Sequence, residues 1–179
     1  MRRPVPLLAS PLFVLLVLVV TRPTGARAEE MQVITLDHDD IEVTRSTLVR
    51  PGTYSVIDRN GDGVIHVRGS NLTLDLAGVV LDGAEAGADA AKFAGVGVSI
   101  AGGADVRVHG GACRGFRVGL RAAGTKDLKL DGFDGSGNRR DRLKSTPEAE
   151  DASDWLWPHE NDGGEWEARY GAGISLANC

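Results

Sequence analysis

The sequence predicts an all-β solenoid of about 22 residues per coil, and three observations predict it. Apolar residues alternate at period two along short segments, one Gly-apolar frame recurs, and 24 glycines accompany only 5% aromatic residues. The alternation indicates strands with one buried face. The glycine content fits a turn-rich β protein better than a helical bundle with a core of large side chains.

Residues 1–28 are set apart from this fold. Arg2 and Arg3 precede the apolar run LFVLLVLVV, and the small-x-small sequence ARA follows at 26–28. This order is typical of a secretory signal peptide. The run is shorter than the ~20 apolar residues of a membrane helix, although an uncleaved anchor remains the alternative. We therefore predict a mature chain that begins near Glu29, is secreted, periplasmic or at the cell surface, and has no stable membrane insertion.

The mature chain is acidic. Four of the 20 Lys and Arg residues lie in the first 28 positions, so 16 remain against 25 Asp and Glu, a formal charge of −9. A basic footprint is expected of proteins that bind nucleic acid, and we therefore predict no nucleic-acid partner. The remaining 151 residues suit one domain.

The recurring frame is the strongest signal in the chain. Four segments align without gaps, GVIHVRGSNLTL, GVSIAGGADVRV, GLRAAGTKDLKL and GISLANC, and they begin at Gly63, Gly97, Gly119 and Gly173. In the complete copies an Asn or Asp follows eight residues later, at Asn71, Asp105 and Asp127. Gly accepts positive φ, and Asn and Asp bond their own backbone, so these positions indicate turns between strands.

The spacing of the frame predicts the coil. Gly97 and Gly119 are 22 residues apart, and the two longer intervals are 22 residues plus inserts, at about 84–95 and 138–170. This period predicts a single-stranded right-handed parallel β-helix, since the Leu-x-x-Leu-x-Leu spacing of leucine-rich repeats is missing. We assign residues 29–57 to an N-terminal cap and first strand, and residues 58–179 to the coils and their inserts.

The frame, together with RPGTYSVIDRNGDGVIHVRGSNLTLDLAGVVLDG, resembles the right-handed β-helix proteins of the pectate-lyase-like superfamily over roughly Ile41 to Cys179. The resemblance implies an architecture and leaves the activity open. That superfamily includes polysaccharide lyases, glycosidases, uronan epimerases, accessory proteins for copper-enzyme assembly and proteins without known catalysis. If this chain is an enzyme, the resemblance implies a lyase, glycosidase or epimerase.

The fourth copy of the frame breaks off at Cys179 after one strand. Natural solenoids cover their ends, so we expect an N-terminal fragment of a longer protein whose β-helix is incomplete at the C-terminus. Cys113 and Cys179 fall two coils apart, about 9 to 10 Å along the axis by the strand spacing. That separation is too large for a disulfide between them.

The second insert supplies the candidate substrate-binding residues. It carries a basic run followed by all three tryptophans of the chain, and the candidates are Arg139, Arg140, Arg142, Lys144, Trp155, Trp157 and Trp166. Tryptophans stack on sugar rings, and guanidinium groups pair with uronate or sulfate. Alternatively, the tryptophans pin the loop to the solenoid and the basic run pairs with the acidic residues after it. Thr146 is the expected N-cap of a short helix in this insert.

No catalytic residue is assigned. Asp131 and Asp134 follow a strand, and the insert adds His159, Glu160 and Asp162, but no motif links these side chains. We expect them to be turn or surface residues, and the HDD sequence at 38–40 to belong to the cap.

The stretch DRNGDGVIHV raises the question of calcium. Asp58, Asn60 and Asp62 have the spacing of the first three ligands of an EF-hand loop, but position 12, which should be Glu, falls on Gly69. We predict no cofactor and interpret this stretch as a turn, with calcium at these three residues as the alternative.

The favoured function is recognition or processing of an extracellular or cell-wall polysaccharide by an exported β-helix protein. The alternative is a non-catalytic structural or surface-adhesion solenoid. A periplasmic metal-site accessory protein is a third hypothesis, which the four histidines, at no ligand-like spacing, support least.

Overall fold

The computed structural model describes residues 31–140, 146, 148–149, 167 and 170–179. The predicted signal peptide lies outside these residues. Within them the regular structure is almost entirely β, with thirteen strands, one short 3-10 helix and two further helical residues, Glu167 and Tyr170. The all-β prediction is therefore confirmed.

The strands form three sheets, and every pairing between them is parallel. Sheet I contains β2 (Ile41–Val43), β5 (Ile65–Val67), β8 (Val96–Ala101), β11 (Val118–Ala123) and β13 (Ala172–Ala177). Sheet II contains β1 (Gln32–Ile34), β3 (Thr47–Val49), β6 (Leu72–Asp75), β9 (Val106–His109) and β12 (Lys129–Asp131). Sheet III contains β4 (Gly52–Ser55), β7 (Val79–Asp82) and β10 (Ala112–Arg114).

From β2 to β11 the chain passes through sheet I, then sheet II, then sheet III, and returns to sheet I beside the strand it left, and β12 and β13 then follow in sheets II and I. One such pass is called a coil below. Stacked coils of this kind are consistent with a solenoid, because each strand pairs with its counterparts in neighbouring coils and with few other segments.

The core lies between the three sheets and is built from rows of apolar side chains. One row of sheet I runs through Ile41, Ile65, Val98, Leu120 and Ile174, one residue from each strand. Its three middle members are fully buried, and burying each such side chain stabilises the fold by roughly 1.5–3 kcal/mol. On β13 the row ends at Ile174, which is 40% exposed.

The turn between sheets I and II takes the conformation expected of its Asn and Asp residues. Asn71, Asp105 and Asp127 all have positive φ, at 56°, 54° and 52°. Among residues with a Cβ, Asn and Asp tolerate this left-handed conformation best. The repeated Asx position is thus explained by backbone geometry, as predicted.

The alignment of Gly63 with Gly97 is wrong by one residue. In sheet I, Ile65 pairs with Val98 and His66 with Ser99. Val64 therefore lies opposite Gly97, where the frame had placed Gly63. The turn that follows β5 is one residue shorter than the turn that follows β8, and the register is restored at β6 and β9. An alignment without gaps cannot show a turn that is shorter by one residue in one coil, because the residues on the far side of the turn still align.

The first insert contains one short helical turn, Ala90–Lys92, between β7 and β8. Asp89 caps it by accepting the Ala91 N–H at 3.1 Å. The two cysteines are both free, with Cys113 buried in sheet III and Cys179 exposed, as their spacing predicted. Within the part of the chain described here, no helix has the length and apolar character needed to cross a membrane.

Candidate functional site on the outer face of sheet I

The outer face of sheet I carries one polar side chain from each of its strands. We call these residues the polar row: Glu42, His66, Ser99, Arg121 and Ser175. They pair in register from β2 to β13, so their spacing follows the strand spacing of about 4.8 Å. The row therefore spans about 19 Å along the stack of coils.

His66 is the most deeply buried member of the row, with 6% of its surface exposed. Its Nε2 atom lies 3.2 Å from Asp40 Oδ1 and 3.3 Å from Asp62 Oδ1. Asp40 directly precedes β2 and has a φ of 61°, and Asp62 lies in the turn before β5. Two neighbouring coils thus bring a ring nitrogen and two carboxylates together at one end of the row.

Arg121 is held at the other end. Its guanidinium donates to Glu167 Oε1 and lies 3.5 Å from the carbonyl oxygen of Gly61. The second oxygen of Glu167 accepts from the Ser175 hydroxyl at 2.8 Å. Glu167 belongs to the second insert, so the end of that insert lies against the polar row. Arg121 and Glu167 are both mostly buried, which favours a persistent ion pair.

The side chains of Asp58 and Asp62, two of the three alternative calcium ligands, bond groups of the protein. Asp58 is 6% exposed and accepts backbone N–H bonds from Asn60, Gly61 and Val96 at 3.2, 2.7 and 2.7 Å. Asp62 is directed to His66 instead. Asp58 therefore fixes the corner between two coils.

The predicted substrate-binding residues are described only in part. Arg139 is half-buried, and its N–H bonds the Phe116 carbonyl at 2.7 Å, whereas Arg140 is exposed. The other candidates lie outside the described residues: Arg142, Lys144, Trp155, Trp157 and Trp166. Asn138, where the insert begins, bonds backbone groups of Cys113, Gly135 and Phe116.

In the same insert, Thr146 Oγ1 accepts N–H bonds from Glu148 and Ala149, as an N-cap does, but these two residues are not helical.

Asp131 and Asp134 behave as surface and turn residues. The Arg107 guanidinium lies 2.5 Å from Asp131 Oδ2 and holds the pKa of that carboxyl below its usual range. The Ser136 N–H bonds Asp134 at 2.8 Å and lowers its pKa in the same way. A general acid needs a raised pKa, so neither carboxyl is suited to that role. His159, Glu160 and Asp162 lie outside the described residues.

The polar row itself contains no assembled nucleophile. Ser99 and His66 are register neighbours, but no hydrogen bond joins them in the described part of the chain. The Asn60 amide, followed by His66, holds the pKa of Asp40 below its usual range, which also argues against a general acid there. The face offers donors, acceptors and one fixed guanidinium, which suits binding.

Sequence reasoning missed His66, Asp40 and Arg121. Aligning the frame on Gly63 set His66 opposite Ile100, a buried core position, whereas the true register sets it beside Ser99. Ser99 and Arg121 are polar residues within otherwise apolar strands, and aligning the strands on these two residues would have placed His66 in the same row.

No protein-family model, curated protein or solved structure matches this chain.

Proposed function

We propose that this protein is an exported right-handed parallel β-helix of the pectate-lyase-like kind that recognises a polysaccharide along the outer face of sheet I. The observation that carries the proposal is the polar row, which presents a hydrogen-bonding side chain at every coil. A polymer laid along the stack would meet these side chains at steps of about 4.8 Å, with the exposed carboxylates of Asp40 and Asp62 covering the step of the buried His66.

Arg121 gives the row its chemical preference. Its guanidinium is positioned by Glu167 and the Gly61 carbonyl, and a pre-organised guanidinium loses less entropy on binding an acidic sugar. The Ser99 and Ser175 hydroxyls beside it suit neutral hydroxyl groups of a sugar. This combination favours a chain that contains uronate or sulfate groups together with neutral sugars.

The second insert extends this proposal. Glu167 brings the end of the insert onto the polar row, and the tryptophans that we predict to stack on sugar rings belong to the same insert. The prediction that Trp155 and Trp157 contribute to binding remains a prediction.

The test is a panel of acidic and neutral polysaccharides offered to the full chain. Arg121→Gln should weaken binding of the acidic members at least about tenfold, the loss expected for a charge-assisted hydrogen bond. Arg107→Gln is the matched control, because Arg107 is also paired with a carboxylate but lies on sheet II. Release of new reducing ends would show processing in addition to recognition.

Two results would refute the proposal: no polysaccharide binds, or both arginine variants bind as the wild type does. The double variant Trp155→Ala, Trp157→Ala tests the insert separately, and unchanged binding would remove the insert from the site while leaving the polar row.

A non-catalytic structural solenoid is the second candidate, and ion pairs between coils favour it. Arg107 pairs with Asp131, Lys129 with Asp105 and Arg114 with Asp82, each across a coil boundary. A surface whose charges satisfy one another needs no ligand. Failure of every glycan to bind, with the fold intact, would favour this function.

A further inference from the structure

We propose that Asp40, Asp62 and His66 form a three-ligand site for a divalent metal ion of the zinc type. One ligand atom from each residue lies within 4.8 Å of the others. The inference does not depend on polysaccharide binding, since it concerns the cap and the turn before β5.

The spacing of the ligand atoms fits such an ion. Bonds of ~2.0–2.1 Å in a tetrahedral arrangement set neighbouring ligand atoms about 3.3–3.4 Å apart. Nε2 of His66 lies 3.2 Å from one carboxylate oxygen and 3.3 Å from the other. Two of the three ligand-atom separations therefore match the tetrahedral edge, and the third, between the two carboxylates, is within 4.8 Å.

The burial of His66 supplies an independent argument. The other buried polar side chains in the described part of the chain are Thr47, Asp58, Thr125 and Asn138, and all of them bond backbone groups of nearby turns. The side chain of His66 is only 7% exposed, yet its Nε2 is directed at two carboxylates that are more than half exposed. A buried imidazole beside carboxylates that open to solvent could hold a metal ion whose remaining position is accessible.

Hydrogen bonds from the Asn60 side chain orient Asp40 and the turn that carries Asp62. The Asn60 side-chain amide donates to Asp40 Oδ1 at 3.2 Å, and its oxygen accepts the Asp62 N–H at 3.3 Å. Asp39 Oδ2 accepts the Arg59 N–H at 3.0 Å and so fastens the cap to the same turn. Partners of this kind fix the direction of ligands and raise metal affinity.

The ligand types select the class of ion. A ring nitrogen with two carboxylates suits zinc and its first-row neighbours. Calcium takes six to eight oxygen ligands at longer distances and fits this set poorly. Three protein ligands leave a fourth position open, which is the pattern of zinc sites that bind water or substrate.

An imidazolium ion paired with two carboxylates would show the same distances without a metal. Zinc titration of the metal-stripped full chain, in competition with a chromophoric chelator at neutral pH, separates the two accounts. We expect one zinc ion per chain, and a visible absorption band of tetrahedral cobalt when Co²⁺ replaces zinc.

Asp62→Asn and His66→Gln should each weaken zinc binding by at least about tenfold and abolish the cobalt band. His109→Gln is the matched control. His109 also lies in register between two aspartates, Asp75 and Asp131, but it is 45% exposed and Arg107 occupies Asp131. This variant should bind zinc as the wild type does.

The proposal is overturned if the wild type binds no zinc at micromolar protein, if Asp62→Asn binds it unchanged, or if His109→Gln loses as much affinity. Circular dichroism shows whether His66→Gln folds. If it does not, Asp62→Asn decides, because Asp62 is exposed and its amide replacement keeps the shape of the turn.

Discussion

At the scale of single residues, the buried polar side chains show how corners between coils are fixed. Asn138 donates to the carbonyls of Cys113 and Gly135 and accepts the Phe116 N–H, so a single amide satisfies three backbone groups. Asp58 does the same for three N–H groups at another corner. Since an unpaired buried backbone group costs about 1–3 kcal/mol, these side chains stabilise the fold where no strand is available.

The two thiols should differ sharply in reactivity. Cys113 is 1% exposed, and burial raises the pKa of its thiol to about 12, so almost no thiolate forms at neutral pH. Cys179 is exposed. We expect an aromatic disulfide reagent at pH 8 to label one thiol rapidly and the second only after the chain unfolds.

Two serine variants check this assignment. Cys179→Ser should leave no rapidly labelled thiol, and Cys113→Ser should leave one. Rapid labelling of two thiols in the native wild type would show that sheet III opens readily at β10.

At the scale of the strand, the repeated glycine has a steric explanation. A Cβ on Gly97 would lie 2.6 Å from the carbonyl oxygen of Gly119, and a Cβ on Gly119 would lie 2.6 Å from that of Gly173. Gly97 and Gly119 therefore allow β8, β11 and β13 to approach at strand distance, whereas Val64 takes this register position in the coil of β5. This close contact explains why the frame has glycine at positions 97 and 119.

Gly97→Ala should lower the free energy of unfolding by about 1–3 kcal/mol, because neither the added methyl group nor the facing backbone can move freely. Urea denaturation followed by circular dichroism measures the change. Ser99→Ala, in the same strand but on the outer face, is the control and should have a much smaller effect. Equal losses in the two variants would contradict the steric explanation.

At the scale of the whole molecule, stability should vary along the stack. β8 pairs with β5 on one side and β11 on the other, whereas in the described residues β1 pairs only with β3 and is largely exposed. Parallel coils that contact only their neighbours can open locally from less supported positions.

Hydrogen exchange read by mass spectrometry should therefore show much slower exchange in peptides covering Val96–Ala101 than in those covering Gln32–Ile34. The intermediate coil at Ile65–Val67 should resemble the slow group, because its three residues are all buried. Uniform exchange across these three segments would indicate that the described chain unfolds as one cooperative unit.

Much of the architecture could be predicted from the sequence, and the site could not. Alternation and the Gly and Asx frame are local signals, so they predicted the strands around Leu72, Val106 and Val118 and the turns between them. The site depends on the register between coils. The turn after β5 is one residue shorter than the turn after β8, so the gap-free alignment set the register of β5 wrong by one residue. A shift of one residue moves every side chain to the opposite face, so the gap-free alignment sets His66 opposite the buried Ile100 although it lies on the outer face of sheet I.

The sequence by itself determined the all-β class, the repeated turn residues and the separation of the two thiols, because these follow from backbone preferences and chain distance. Only the tertiary structure decided that Asp40, Asp62 and His66 meet, and that Glu167 reaches Arg121 across 46 positions of sequence. Such contacts arise where coils stack in register, and stacking is a property of the folded chain that local sequence patterns do not encode.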